Sequence, residues 1–383
     1  MAKLQYHLSI VLMSCFGIFT GLEAHSKQSE NDSTKLRLIN TVFRHGDRTM
    51  EIQLGESYPN DPNKNFNSYP DGDGQLTNVG KKRAYDLGVV LRKKYNDFLG
   101  DVYYQPNVHA RSTSFPRTKM TLQLVLAGLY PPARIQKWHS SLAWQPVNIQ
   151  YTFVRNDGLL FPAYCPEYQQ KLSEIEQTPE VIAQIQQYED LMKETSKYTG
   201  KNMTSAFDLF ILFNTFVTQK YLGLPLPDWA GDKCLQSKLF DAAIFYYNLM
   251  SYNDELTRLN GGILLHRMIQ DMKGVINGTL VDRKINLFSA HDINVVAMLK
   301  ALDIYDNTFP SFTSTVIVEL HEKDNNYFVK VLRYLGDPSQ MIEVRIPGCD
   351  MLCPYDKFVK LRLAATATDE ENPKCPRTLL DHL

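Results

Sequence analysis

Two hydrophobic rhythms alternate along this chain. Leu36 to Phe43, in "LRLINTVF", is a run of β-branched and large apolar side chains, as in a strand buried on both faces. "GQLTNVGKKRAYDLGVVLRKKY" then sets Ala84, Leu87 and Leu91 on one helical face with lysine and arginine opposite, and offers Thr77 as N-cap. The pair recurs: "DVYYQPNVHARST" reads as a second strand ending in Arg111 and Ser112, and "FPRTKMTLQLVLAGLY" as a second helix. "KINLFSAHDINVVAMLKAL" repeats it with an apolar strand from Ile285 to Phe288 and an apolar helix, and "STVIVELHEKDNNYFVKVLRYLG" alternates over two strands around "DNN", a hairpin. This order predicts the α/β class, a mostly parallel sheet flanked by helices.

From Asn156 to Asp282 the strand signals fade. "EYQQKLSEIEQTPEVIAQIQQYEDLMKETSKY" and the segments after it read as helices broken by "LPLPDWAGD", so residues 156–282 are expected to form a helical cap domain inserted in the sheet. Residues 25–155 and 283–383 would then make the α/β domain. There is no internal repeat, low-complexity tract or linker.

Residues 1–24 carry their own pattern. Lys3 precedes the apolar run "LSIVLMSCFGIFTG" and the small-residue stretch "LEAHS", a secretory signal with cleavage near Ala24. The alternative is a membrane anchor, but a run of about 14 residues falls short of the ~20 that span a bilayer. The mature protein is expected outside the cytosol, secreted or in the lysosomal lumen, without a membrane anchor. Sequons at Asn31, Asn202 and Asn277 fit that route.

Composition narrows the function. With 44% hydrophobic and 22% charged residues the chain has the make-up of a globular protein, and 41 Lys+Arg against 42 Asp+Glu leave no basic field for nucleic acid. Any anion site is local. Once Cys15 leaves with the signal, five cysteines remain, an odd number for an oxidising compartment. Cys349 and Cys353 in "GCDMLCP" suit a local disulfide or half a zinc site; no second ligand pair lies at zinc spacing, which favours the disulfide.

The charge is gathered at strand ends. "RHGDRT" places Arg44, His45, Asp47 and Arg48 just past the first strand, Arg111 closes the second, and His291 and Asp292 follow the third, the position at which open α/β sheets bind ligands. Three arginines and two histidines around one point suit a phosphate monoester, because each guanidinium offers a fork of donors matching two phosphate oxygens. His45, between two arginines, is kept deprotonated and is the candidate nucleophile; Asp292 is the candidate acid and then base. Asp47 is expected to orient Arg44 or Arg48 or to cap a turn, and His109 to pack within its strand.

Together these pieces resemble the histidine acid phosphatases of the phosphoglycerate-mutase-like superfamily, in the branch with the prostatic, lysosomal and insect venom enzymes. The resemblance runs from Leu36 to Cys375. It implies a phosphohistidine on His45, phosphate binding by Arg44, Arg48, Arg111 and His291, proton donation by Asp292, and no metal or cofactor. It also pairs Cys165 with Cys375 and Cys349 with Cys353, leaving Cys234 as the odd thiol. Small phosphate monoesters are the expected partners, and a homodimer is a candidate assembly. Met50 stands where relatives usually have proline, and a third family disulfide has no match. Competing functions are a mutase, disfavoured by the signal segment and by Asp292 in place of a glutamate donor; a phytase, which needs a strongly basic cap; and a non-catalytic ligand binder.

Overall fold

The computed structural model describes residues 34–367. In chain order the elements are β1 (Lys35–Arg44), α1 (Asn78–Leu99), β2 (Val108–Thr113), α2 (Pro116–Leu129) and β3 (Gln150–Thr152). Seven helices follow: α3 (Pro166–Glu176), α4 (Pro179–Gln186), α5 (Glu189–Thr199), α6 (Ala206–Tyr221), α7 (Lys233–Leu249), α8 (Asp254–Thr257) and α9 (Ile263–Ile276). The chain then returns to the sheet with β4 (Ile285–Ala290), α10 (Asp292–Ala301), β5 (Thr315–Lys323), β6 (Asn326–Tyr334), β7 (Met341–Val344), β8 (Cys353–Pro354) and α11 (Tyr355–Arg362).

The sheet runs β3-β2-β4-β1-β5-β6-β7, with β8 beside β6. From β3 to β1 every pairing is parallel, and from β1 to β7 every pairing is antiparallel, so the β5–β6 hairpin read from "DNN" ends the parallel half. Strand alternation sorts the core into two layers. Leu38 and Val42 of β1, Phe288 of β4 and Val316, Val318 and Leu320 of β5 pack against α9, α10 and α11. Ile39 and Phe43, Ile285 and Leu287, and Ile317 face α1 and α2. Both faces of β1 and β4 are therefore covered, which is why their sequences read as unbroken apolar runs.

Helix α1 starts where its sequence says it should, with the Thr77 hydroxyl accepting from Gly80 N–H at 3.1 Å and Ala84, Leu87 and Leu91 buried. The helical segment has a core of its own, in which Leu191, Leu209, Leu212, Phe216, Leu235 and Leu239 meet between α5, α6 and α7. Helix α9 packs instead on the sheet through Leu265, Met268 and Met272. Cys349 and Cys353 form a disulfide, Cys234 is a free exposed thiol, and Cys165 is disulfide-bonded. Cys375, Asn31 and residues 1–24 lie outside the described residues. Asn202 and Asn277 are exposed.

Candidate active site

The site is built at the carboxyl ends of β1, β2 and β4. Arg44 and Ala290 are the last paired positions of β1 and β4, and the His45 N–H continues the ladder by donating to the Ala290 carbonyl oxygen at 3.0 Å. His45 and His291 therefore emerge side by side, with ring centroids 5.5 Å apart and edge to face. His291 is the residue before α10, and its N–H donates to Asn294 Oδ1 at 3.1 Å. The turn after His45 lies against the start of α1 so closely that a Cβ on Gly46 would meet the Gly80 carbonyl oxygen at 2.4 Å. Glycine is required at both contact points, because a Cβ on Gly80 would sit 2.0 Å from the Asp47 carbonyl oxygen.

A cleft of about 280 Å³ opens on these residues and is lined by Arg44, His45, Arg48, Arg117, His291 and Asp292. Its three arginines are all buried, and each is matched by one carboxylate. Arg44 Nη2 lies 2.9 Å from Asp292 Oδ2, and its Nη1 donates to the Pro310 carbonyl oxygen at 2.6 Å, while Phe309 and Phe312 pack on the guanidinium. Arg48 makes a two-pronged pair with Glu56, both contacts at 2.6 Å, and Arg117 Nη2 lies 3.0 Å from Glu51. The Nε–H groups of Arg44, Arg48 and Arg117 are buried with no hydrogen-bond partner among the described residues. These donors are available to an acceptor that enters the cleft.

Burial in first place, then Arg117 and Arg44, then His291 and Arg48, hold the pKa of His45 well below the ordinary imidazole value. Burial followed by Arg117, Arg48 and Arg44 does the same to His291. Both rings are thus neutral. His45 Nδ1 lies 2.9 Å from the Gly46 carbonyl oxygen, which can only accept, so the ring proton is on Nδ1 and the Nε2 lone pair is left for the cleft. Burial opposes the charge of Arg48, and Glu56 outweighs it, raising the guanidinium above its usual value.

Of the expected residues, Arg44, His45, Arg48, His291 and Asp292 come together; Arg111 does not. It sits two residues back from the end of β2, roughly 7 Å by strand rise. There its Nη2 is held by Asp157 Oδ1 at 2.6 Å and by Thr152 at 3.3 Å, away from the cleft lining. The third arginine is Arg117, second residue of α2. The signal for it was the proline of "FPRT", since Pro116 at the first helical position puts the next side chain at the helix N-terminus facing the strand ends. Glu51 and Glu56, in the loop after β1, were also missed. Asp47 pairs with Arg83 of α1 at 2.8 Å, not with Arg44 or Arg48. His109 is buried 5.6 Å from the Phe288 ring, and burial, with Arg267, Arg283 and Arg111, brings its pKa down to about 3.

A buried histidine set among arginines at the end of a parallel strand pair makes a site suited to a phosphoryl group. Residues 35–333 match the Histidine phosphatase superfamily (branch 2), and the chain belongs to that family and is a phosphatase. Venom acid phosphatase Acph-1 of Apis mellifera is 39% identical over 338 residues, 88% of this chain and 87% of that protein. Lysosomal acid phosphatase of Rattus norvegicus is 31% identical over 361 residues, 92% of this chain and 81% of that protein. Among solved structures, Hafnia alvei phytase in complex with tartrate superposes with a TM-score of 0.67 over 91% of this chain and 100% of that one, at 16% identity, a likeness of fold.

Proposed function

We propose that the protein is a secreted acid phosphatase that hydrolyses phosphate monoesters through a phosphohistidine on His45, with Asp292 as proton donor and without metal or cofactor. One observation carries this reading. Three buried guanidinium groups with unpartnered Nε–H donors surround an imidazole whose Nε2 lone pair is free.

The steps follow from those groups. Arg44, Arg48 and Arg117 take the phosphoryl oxygens, balancing the charge spread over them in a loose transition state. His45 Nε2 attacks phosphorus as the ester P–O bond breaks, and the departing oxygen takes the proton of the Asp292 carboxyl. Water then attacks phosphorus, giving a proton to the Asp292 carboxylate as the P–N bond breaks and its electron pair returns to His45 Nε2, and phosphate leaves. Because burial and the arginines hold the pKa of His45 well below its ordinary value, the nucleophile persists into acid pH.

Helices α6 and α7 act as a cap over the leaving group, which meets Phe161, Phe207, Phe210, Tyr246, Met250 and Ile293. That wall suits an apolar or aromatic alcohol. Glu51 and Glu56 line the same cleft and occupy Arg117 and Arg48, so among the described residues no spare cation is left there for a second phosphate, which favours esters with a single phosphate over phytate. Residues 1–24 are read as the export signal, in keeping with a relative found in venom. The test is hydrolysis of 4-nitrophenyl phosphate at acid pH in chelator, which His45→Ala should abolish and chelator should leave unchanged.

A further inference from the structure

His291 is tied through one ring nitrogen to a buried chain of hydroxyls. Its Nε2 lies 3.0 Å from Thr113 Oγ1, and Thr113 Oγ1 lies 2.8 Å from Thr118 Oγ1. Thr118 Oγ1 in turn lies 2.8 Å from the Phe115 carbonyl oxygen and 3.1 Å from that of Thr113. Carbonyl oxygens only accept, so the single hydroxyl proton of Thr118 goes to one of them. Thr118 then accepts from Thr113, and Thr113, its own proton spent, accepts from His291 Nε2–H. Run in reverse, the chain would leave Thr118 Oγ1 against two carbonyl oxygens with no proton between them, at the cost of an unmade hydrogen bond. Neutral His291 therefore carries its proton on Nε2. Nδ1, the other ring nitrogen of this cleft-lining residue, then carries a lone pair.

A lone pair facing an oxyanion repels it. The charge around the site makes this matter, since Arg44, Arg48 and Arg117 are each already matched by Asp292, Glu56 and Glu51. A dianion enters a balanced site and brings uncompensated negative charge. Packed around His291 are His45 and the arginines Arg44 and Arg48 from the end of β1, Arg117 and the Phe115 ring at the start of α2, and the Phe161 ring; Asp292 is its neighbour on α10. We infer that the Thr113–Thr118 chain makes phosphate binding proton-coupled, with His291 taking one proton from solvent at Nδ1 as the oxyanion enters. The existing Nε2–H bond to Thr113 is kept, the ring becomes imidazolium while the anion is bound, and the proton is returned when phosphate leaves. Thr113 is a positioning residue, acting only through His291. The inference rests on the cleft being the phosphate site.

Sulfate separates the two ideas, because it stays a dianion throughout and is not turned over. Its binding is measured by calorimetry in buffers of different ionisation enthalpy, in an Asp292→Asn background so that the neighbouring carboxyl takes no proton. Uptake of close to one proton per sulfate is expected, with Kd rising about tenfold per pH unit from about pH 5 to about pH 7. Adding Thr113→Val, which removes the acceptor and lets neutral His291 carry its proton on Nδ1, should bring uptake close to zero and flatten the pH dependence. Adding Thr113→Ser, which keeps the hydroxyl, should restore it. Sulfate binding with no uptake, or uptake unchanged by Thr113→Val, overturns the proton coupling while leaving the phosphate site standing. No sulfate binding at all overturns both.

Discussion

Arg44 Nη2 and Asp292 Oδ2 are 2.9 Å apart, so the residue read as the proton donor is ion-paired with a residue read as a phosphate ligand. The two functions are in competition for one guanidinium. A phosphate dianion that claims Arg44 would displace the Asp292 carboxylate from its partner. On the proposed mechanism, substrate binding would free the Asp292 carboxyl to face the leaving group.

Replacing Asp292 with asparagine should therefore discriminate by leaving group. Alkyl phosphates, whose alkoxide needs the proton, should lose of order 10²–10⁴ in kcat/KM. Nitrophenyl phosphate, whose phenolate departs unaided, should lose far less. Equal losses in steady-state assays of the two would mean that Asp292 only positions Arg44.

Arg117 and Arg111 should behave in opposite ways. Arg117→Gln should cost of order 10²–10³ in kcat, as for loss of one charged donor to a transition state. Arg111→Ala breaks a fully buried ion pair with Asp157, which should destabilise the fold by roughly 3–5 kcal/mol with little change in kcat of the folded fraction. Urea denaturation and active-site-normalised kinetics check both; a larger kcat loss for Arg111→Ala than for Arg117→Gln would reverse the assignment.

The pH profile carries a signed expectation. Attack needs neutral His45, and a pKa held well below 6.5 by burial and then by Arg117 moves the loss of the nucleophile to lower pH. The acid limb of kcat/KM should lie well below that value. Removing the Arg117 charge lifts the imidazole pKa, so the same limb should move to higher pH in Arg117→Gln. A limb that stays put would show that Arg117 does not act on His45.

Phe207, on the cleft wall and 41% exposed, can be altered without opening the core. Phe207→Ala should raise KM for aryl phosphates roughly 2- to 10-fold, the worth of one aromatic contact, and leave glycerol phosphate nearly unaffected. Parallel KM determinations decide between a selective wall and a bystander.

Much of this architecture was legible because it is written in local periodicity. Leu36 to Phe43 announced a doubly buried strand, Thr77 with Ala84, Leu87 and Leu91 announced α1, and the charge after each strand marked one end of the sheet. What was hidden depends on partners distant in sequence. Arg111 looked like the last charge of its strand, and only the fold brings Asp157, in a loop 46 residues on, to claim it. Arg117 was one residue of the second helix in sequence, and although Pro116 marks the helix start, only the fold sets that start beside His291. Asp47 found Arg83 across the Gly46–Gly80 contact, and Glu51 and Glu56 lie in a loop with no periodicity. At three residues, β3 is too short to show any.

The covalent intermediate tests the central claim most directly. Rapid acid-free quench of the enzyme with a ³²P-labelled monoester, followed by peptide mapping under alkaline conditions, should place one acid-labile, alkali-stable phosphate on His45, with His45→Ala unlabelled and inactive. Label on any other residue, or near-normal turnover by His45→Ala, would contradict it.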